Sequence, residues 1–126
     1  MLRAVIIDDE VHAVGNLASL LEESGMVEIV GQFTNPFEAL DKLDGLGADV
    51  VFLDIVMPGI NGMTIANRLL NRSRPIGVVF VSAHAKYAVE AFEAGALDYL
   101  LKPVSEDRLQ KTLWTIYEHL DLDEAE

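Results

Sequence analysis

Four short apolar stretches of this chain run directly into residues that handle charge. AVII leads into Asp8-Asp9, VVFL into Asp54, VVFV into Ser82 and YLL into Lys102. Such runs are typical of buried strands, and a carboxylate behind one either caps the next element or holds a charge at the rim of a site. Three aspartates brought together repel one another unless a divalent cation sits among them. Hard oxygen donors, with water completing an octahedron, suit Mg²⁺. One ammonium does not offset three carboxylates, so the set reads as arranged to receive an anion that also binds the metal. A phosphoryl group fits: metal and Lys102 neutralise its oxygens, Ser82 donates a hydrogen bond, and an aspartate serves as nucleophile. Taken singly, each residue has a plainer use. Asp8 or Asp9 would cap a helix, Ser82 would sit in a turn, Lys102-Pro103 would be a solvated loop, and Asp54 would open the Met57-Pro58-Gly59 turn. Their shared place at strand ends favours the chemical reading.

The elements that must position them alternate along the chain. Strands are expected at 2–7, 27–33, 49–54, 77–82 and 96–101. Between them, helical spacing of apolar residues marks 10–24 (Val11, Val14, Leu17, Ala18, Leu21), a helix from Pro36 towards Leu43, 63–72 and 86–94. Asn35-Pro36 supplies an N-cap and a proline at the first helical position. A last helix opens at the Ser105 cap, with Glu106 and Asp107 suiting its dipole, and carries Leu109, Leu113, Ile116 and Leu120 as its apolar stripe. Five strand–helix units in this length imply an α/β fold with a parallel sheet and helices on both faces. In an open parallel sheet the carboxyl ends of the strands share one edge, and ligands bind where the strand order reverses. Asp54 therefore holds a charge at a rim.

Composition narrows the function by exclusion. With 126 residues, about half of them apolar, the chain suits one globular domain. A net charge of -12 with only nine Lys and Arg, which read as scattered, argues against binding nucleic acid or an anionic membrane unaided. No apolar run is long enough to span a bilayer and no signal peptide is recognisable. There are no cysteines, hence no disulfide and no thiolate metal site. The default location is cytoplasmic.

Taken together, Asp8-Asp9, LDIVMPGINGM (53–63), VFVSAH (79–84) and DYLLKP (98–103) resemble the receiver domain of two-component response regulators, over residues 2 to about 120. The resemblance implies a flavodoxin-like (βα)5 fold with strand order 2-1-3-4-5. It implies that Asp54 is the phosphoacceptor for a phosphohistidine on a sensor histidine kinase. It places Mg²⁺ on Asp8, Asp9, Asp54 and the backbone carbonyl of Val56, Lys102 on the phosphoryl oxygens, and Ser82 and Tyr99 in the conformational switch. A cis Lys102-Pro103 bond belongs to the same pattern. The output face would be helix four, strand five and helix five, with Lys86, Tyr87, Glu90, Asp98, Arg108 and Lys111 on it, and would be a site for homodimerisation. Val56 and His84 would tune phosphoryl lifetime, Val56 because it offers no side-chain amide or acid to position a water.

The stretch 85–109 is most similar to receivers of the LytTR type and related transcriptional regulators. Residues 1–120 would then be the receiver and 121–126 an acidic tail leading to an output domain, absent from this chain, through which any DNA contact would be made. Such a protein is a phosphoacceptor switch, not a turnover enzyme. An interaction module that keeps the fold without phosphorylation is the alternative. A haloacid dehalogenase-like phosphatase would want an acid where Val56 stands, and a flavin carrier would want a hydroxyl-rich loop where DDEVHA stands.

Overall fold

The computed structural model describes residues 1–120; the expected acidic tail, 121–126, lies outside the described residues. Five strands, β1 (Leu2–Ile7), β2 (Val27–Phe33), β3 (Val50–Leu53), β4 (Gly77–Ser82) and β5 (Asp98–Leu101), form one parallel sheet in the order β2-β1-β3-β4-β5. Five helices connect or follow them: α1 (Val11–Ser24), α2 (Pro36–Lys42), α3 (Gly62–Leu70), α4 (Ala88–Glu93) and α5 (Glu106–His119). The expected fold class and strand order hold.

Side chains alternate across each strand, so the sheet builds two cores. Val5, Ile7, Val51, Leu53, Val78, Phe80 and Tyr99 pack against α2, α3 and α4. Leu2, Ala4, Ile6, Val50, Phe52, Val79, Val81 and Leu100 pack against α1 and α5. Both faces being covered explains why β1, β3 and β4 read as almost unbroken apolar runs. Phe52 and Phe80 are fully buried, one in each core, each contributing about 2 kcal/mol by area. No helix among the described residues is long and apolar enough to cross a membrane.

Several expected boundaries move, for local reasons. β3 stops at Leu53, although Asp54 N–H still donates to the Ile7 carbonyl at 3.0 Å. β5 begins at Asp98, not at 96, because the Ala96 N–H turns back to the Ala91 carbonyl after Gly95, whose φ is 103°. The fourth helix opens as a 3-10 turn over Ala85–Tyr87 and buries only Ala91 fully. Helix α3 starts on its Asn61 cap, whose Oδ1 accepts from Met63 N–H at 2.7 Å, and ends at Leu70. Val11, expected on the buried stripe of the first helix, is 65% exposed. It is the first residue of α1, and the stripe is buried from Val14 onward. A two-residue hairpin, Val56–Met57 against Ile60–Asn61, was not anticipated.

Candidate functional site: an acidic cluster at the carboxyl edge of the sheet

Chain order reverses between β1 and β3: from β1 the chain passes to β2 on one side and then to β3 on the other. Asp8 and Asp9 leave one of these neighbours and Asp54 leaves the other, so a parallel register alone brings them together. One carboxylate oxygen from each of Asp8, Asp9 and Asp54 lies within 4.8 Å of the other two. Asp8 and Asp54 are buried, and Asp9 is exposed. An all-carboxylate set, open on the Asp9 side, fits a hard divalent cation that keeps part of its water.

Lys102 reaches this cluster from the end of β5. Its Nζ donates to Asp8 Oδ2 at 2.6 Å and to Asp54 Oδ2 at 3.4 Å. The other oxygens are tied to the backbone: Asp8 Oδ1 accepts from Glu10 N–H at 3.0 Å, and Asp54 Oδ1 from Ile55 N–H at 2.8 Å. The Asp8 bond to Glu10 N–H closes a local turn ahead of α1, whose Glu10 N-cap makes no side-chain cap bond. The Lys102 N–H donates to the Ser82 carbonyl at 2.9 Å, which sets these two residues side by side at the rim. The Lys102-Pro103 peptide is cis.

The electrostatics follow from burial and crowding. Burial pushes the Asp54 carboxyl above its ordinary range, the Asp8 charge adds to this, and Lys102 opposes both. Burial alone would lower the Lys102 pKa, but its hydrogen bond to Asp8 and the charges of Asp54 and Asp8 hold it above the usual value. An acid whose pKa rises on folding costs stability once pH exceeds its unfolded value and is ionised in the fold. Asp54→Asn is therefore expected to raise Tm by several degrees at pH 7 in EDTA. That advantage should shrink as pH falls through the raised titration of the Asp54 carboxyl, where the parent regains its proton. A lower Tm for the variant at pH 7 would contradict this electrostatic account.

The remaining sequence-predicted residues lie around the cluster. Ser82 is fully buried, and its Oγ accepts from His84 N–H at 3.1 Å. Tyr99 is buried, with its ring 6.2 Å from that of Phe80, and its hydroxyl donates to the His84 carbonyl. The ring is thus inward in this structure. Val56 stands on the hairpin two residues past Asp54 with its side chain half exposed. His84 is exposed, and its imidazole meets Tyr87 edge-on at 6.2 Å.

Asp98, expected among the charges of the output face, is buried and bound by Arg108 and Thr112. Burial would raise its pKa, but the bonds from Arg108, Thr112 and the Tyr99 N–H outweigh it and hold the carboxyl below its usual range. Gly62 went unnoticed in the sequence. A Cβ on it would lie 2.1 Å from the Asp54 carbonyl oxygen, so the backbone that carries Asp54 rests directly on it.

Fold and site together define a class of signalling domain, and comparison with known proteins agrees. The response regulator receiver domain family matches residues 4–114, and the chain belongs to that family. It is 51% identical over 113 residues to a response regulatory protein of Vibrio cholerae, covering 90% of this chain and 47% of that protein. It is 47% identical over 113 residues to the transcriptional regulatory protein BtsR of Salmonella typhi, again covering 90% of this chain and 47% of that protein. The chain thus spans about half the length of these curated relatives. Among solved structures, the response regulatory domain of protein mrkE from Klebsiella pneumoniae superposes with a TM-score of 0.87 at 32% identity, covering 95% of this chain and 98% of that domain.

Proposed function

We propose that Asp54 is the phosphoacceptor of this receiver domain, and that Asp8, Asp9, Asp54 and the Val56 backbone carbonyl hold Mg²⁺. The observation that carries this reading is the Lys102 ammonium placed between Asp8 and Asp54, within a carboxylate cluster too acidic to be balanced by it. Asp54 Oδ1 is held by the Ile55 N–H, so Oδ2 is the oxygen left to attack. The donor is a phosphohistidine on a sensor histidine kinase. The Oδ2–P bond forms as the P–N bond breaks, and the leaving imidazole takes its proton from solvent. Bound Mg²⁺ supplies charge neutralisation on the transferring oxygens. Lys102 exchanges its carboxylate partners for phosphoryl oxygens, and Ser82 turns from the His84 N–H to donate to one of them. The domain is a stoichiometric switch, and its site faces aqueous cytoplasm.

The added charge biases two packings of α4, β5 and α5. Val89, Phe92 and Leu101 on these elements are exposed, which supports a homodimer through this face. A transcriptional output, as the name of the Salmonella relative suggests, belongs to the part of such proteins that this chain does not span. Val56 and His84 tune how long the phosphoryl group lasts.

Intact mass after incubation with acetyl phosphate and Mg²⁺ tests the reading. One phosphoryl group should add to the parent and none to Asp54→Asn or without Mg²⁺. A folded, metal-binding parent that gains nothing would favour the phosphorylation-independent module. Once formed, the adduct should decay faster in Val56→Asn, and equal decay would remove Val56 from the account of lifetime.

A further inference from the structure

The hydrogen bonds that leave the site continue past Tyr99. Ser82 Oγ accepts from the His84 N–H, the His84 carbonyl accepts from the Tyr99 hydroxyl, and the Tyr99 carbonyl accepts from Arg108 Nη2 at 3.3 Å. Arg108 lies in the first turn of α5. Its guanidinium also grips Asp98 at the start of β5 with two parallel bonds, Nη1 to Oδ2 at 2.9 Å and Nη2 to Oδ1 at 2.8 Å. Thr112, one turn further along α5, accepts from Nη1 at 2.9 Å and donates to Asp98 Oδ2 at 2.7 Å. Thr112 is fully buried and Asp98 nearly so.

The two parallel bonds would by themselves complete an ion pair with Asp98. The third, to the Tyr99 carbonyl, fastens α5 to the residue whose hydroxyl holds the loop after β4. We infer that Arg108 is a positioning residue that couples the Ser82–His84 loop to α5 through the Tyr99 main chain. This rests on Asp54 being the phosphoacceptor. When Ser82 turns towards a phosphoryl oxygen it releases the His84 N–H, the His84 peptide shifts, and the shift reaches α5 through Tyr99 and the guanidinium. A planar fork with several fixed donors can bind both Asp98 oxygens and the Tyr99 carbonyl at once; a lysine ammonium, on its flexible stem, cannot reproduce that pattern.

Coupling is reciprocal: if the site moves α5 through Arg108, loosening Arg108 must change the affinity of the site for whatever turns Ser82. Mg²⁺ alone, held by carboxylates, does not require Ser82 to turn. The test titrates the 126-residue protein, Arg108→Lys and Arg108→Gln with Mg²⁺ and then with Mg²⁺ plus beryllofluoride, a phosphoryl mimic, while amide resonances are followed. In the parent, beryllofluoride should shift Ser82, His84 and Tyr99 together with Thr112 and Leu113 of α5. In Arg108→Lys, which keeps a charge opposite Asp98, the α5 shifts should collapse and the beryllofluoride dissociation constant should change about fivefold or more. The Mg²⁺ constant should not move. Parental α5 shifts and parental beryllofluoride affinity in both variants would overturn the inference. So would a loss of Mg²⁺ and beryllofluoride binding in parallel, which marks a merely structural role. No response of the parent to beryllofluoride would instead remove the phosphoacceptor reading, and this inference with it.

Discussion

Gly62→Ala is expected to destabilise the domain by about 3 kcal/mol and to lower Tm by about 10 °C. The atoms a new methyl would meet are backbone: the Asp54 carbonyl oxygen at 2.1 Å, the Ile55 Cα at 2.7 Å and the Asp54 carbonyl carbon at 3.0 Å. None of them can rotate away as a side-chain end could. Gly62 N–H also donates to the Ile55 carbonyl at 2.7 Å, which fixes the approach. Relief must come from moving either the start of α3 or the segment that carries the Asp54 carboxylate. Acetyl phosphate incorporation should therefore fall along with stability. Gly15, on the exposed side of α1 with nothing within 4 Å of a Cβ, is the matched control. Gly15→Ala should stabilise by about 0.5–1 kcal/mol through helix propensity. Urea unfolding of both variants checks the pair. A Gly62→Ala protein within 1 kcal/mol of its parent, about a third of the loss expected from overpacking, would show that the contact is easily relieved.

The contrast between these glycines shows what the sequence could and could not convey. Residues whose position depends on strand register were legible: Asp8, Asp54, Ser82 and Lys102 each follow an apolar run, and a parallel sheet puts all such ends on one edge. Periodicity likewise located the apolar stripes of α1 and α5, because Val14, Leu17, Leu113 and Ile116 repeat at helical spacing and do face the sheet. Gly62 was illegible because its constraint comes from a chain crossing eight residues away, which no local pattern encodes. The burial of Asp98 was illegible for a related reason: Arg108 and Thr112, which bind it, lie on a helix that follows. Val11 shows the opposite error: it keeps the helical spacing of the apolar stripe, yet it is exposed at the first residue of α1 while Val14 is buried.

Lys102→Met is expected to destabilise the metal-free domain at neutral pH by about 3 kcal/mol, since one partner of a largely buried charge group is removed. Asp8 and Asp54 are 4% and 8% exposed, and the ammonium is the cation that faces both. Without it, Asp54, already raised by burial and by Asp8, must rise further or remain charged at greater cost. The pH dependence follows from the two shifts. Lysine whose pKa is raised contributes fully below its unfolded value and loses that contribution as pH climbs through the folded one. Asp54, which it serves, is charged only above its raised titration. The gap between parent and variant should therefore be widest from neutral pH to about 10 and should narrow as pH falls through the titration of Asp54. Mg²⁺ acts on the same imbalance. Its binding should raise the variant's Tm more than the parent's, because fewer positive charges oppose the ion in the variant and a tighter site stabilises more at equal concentration. Phosphoryl incorporation should not recover with stability, since Mg²⁺ can replace the balancing charge but not the donor that Lys102 would bring to the transferring oxygens in the proposed reaction. Equal stabilisation of both proteins by Mg²⁺ would mean that ion and ammonium do not share one electrostatic site, and the placement of the metal on Asp8, Asp9 and Asp54 would fall with it.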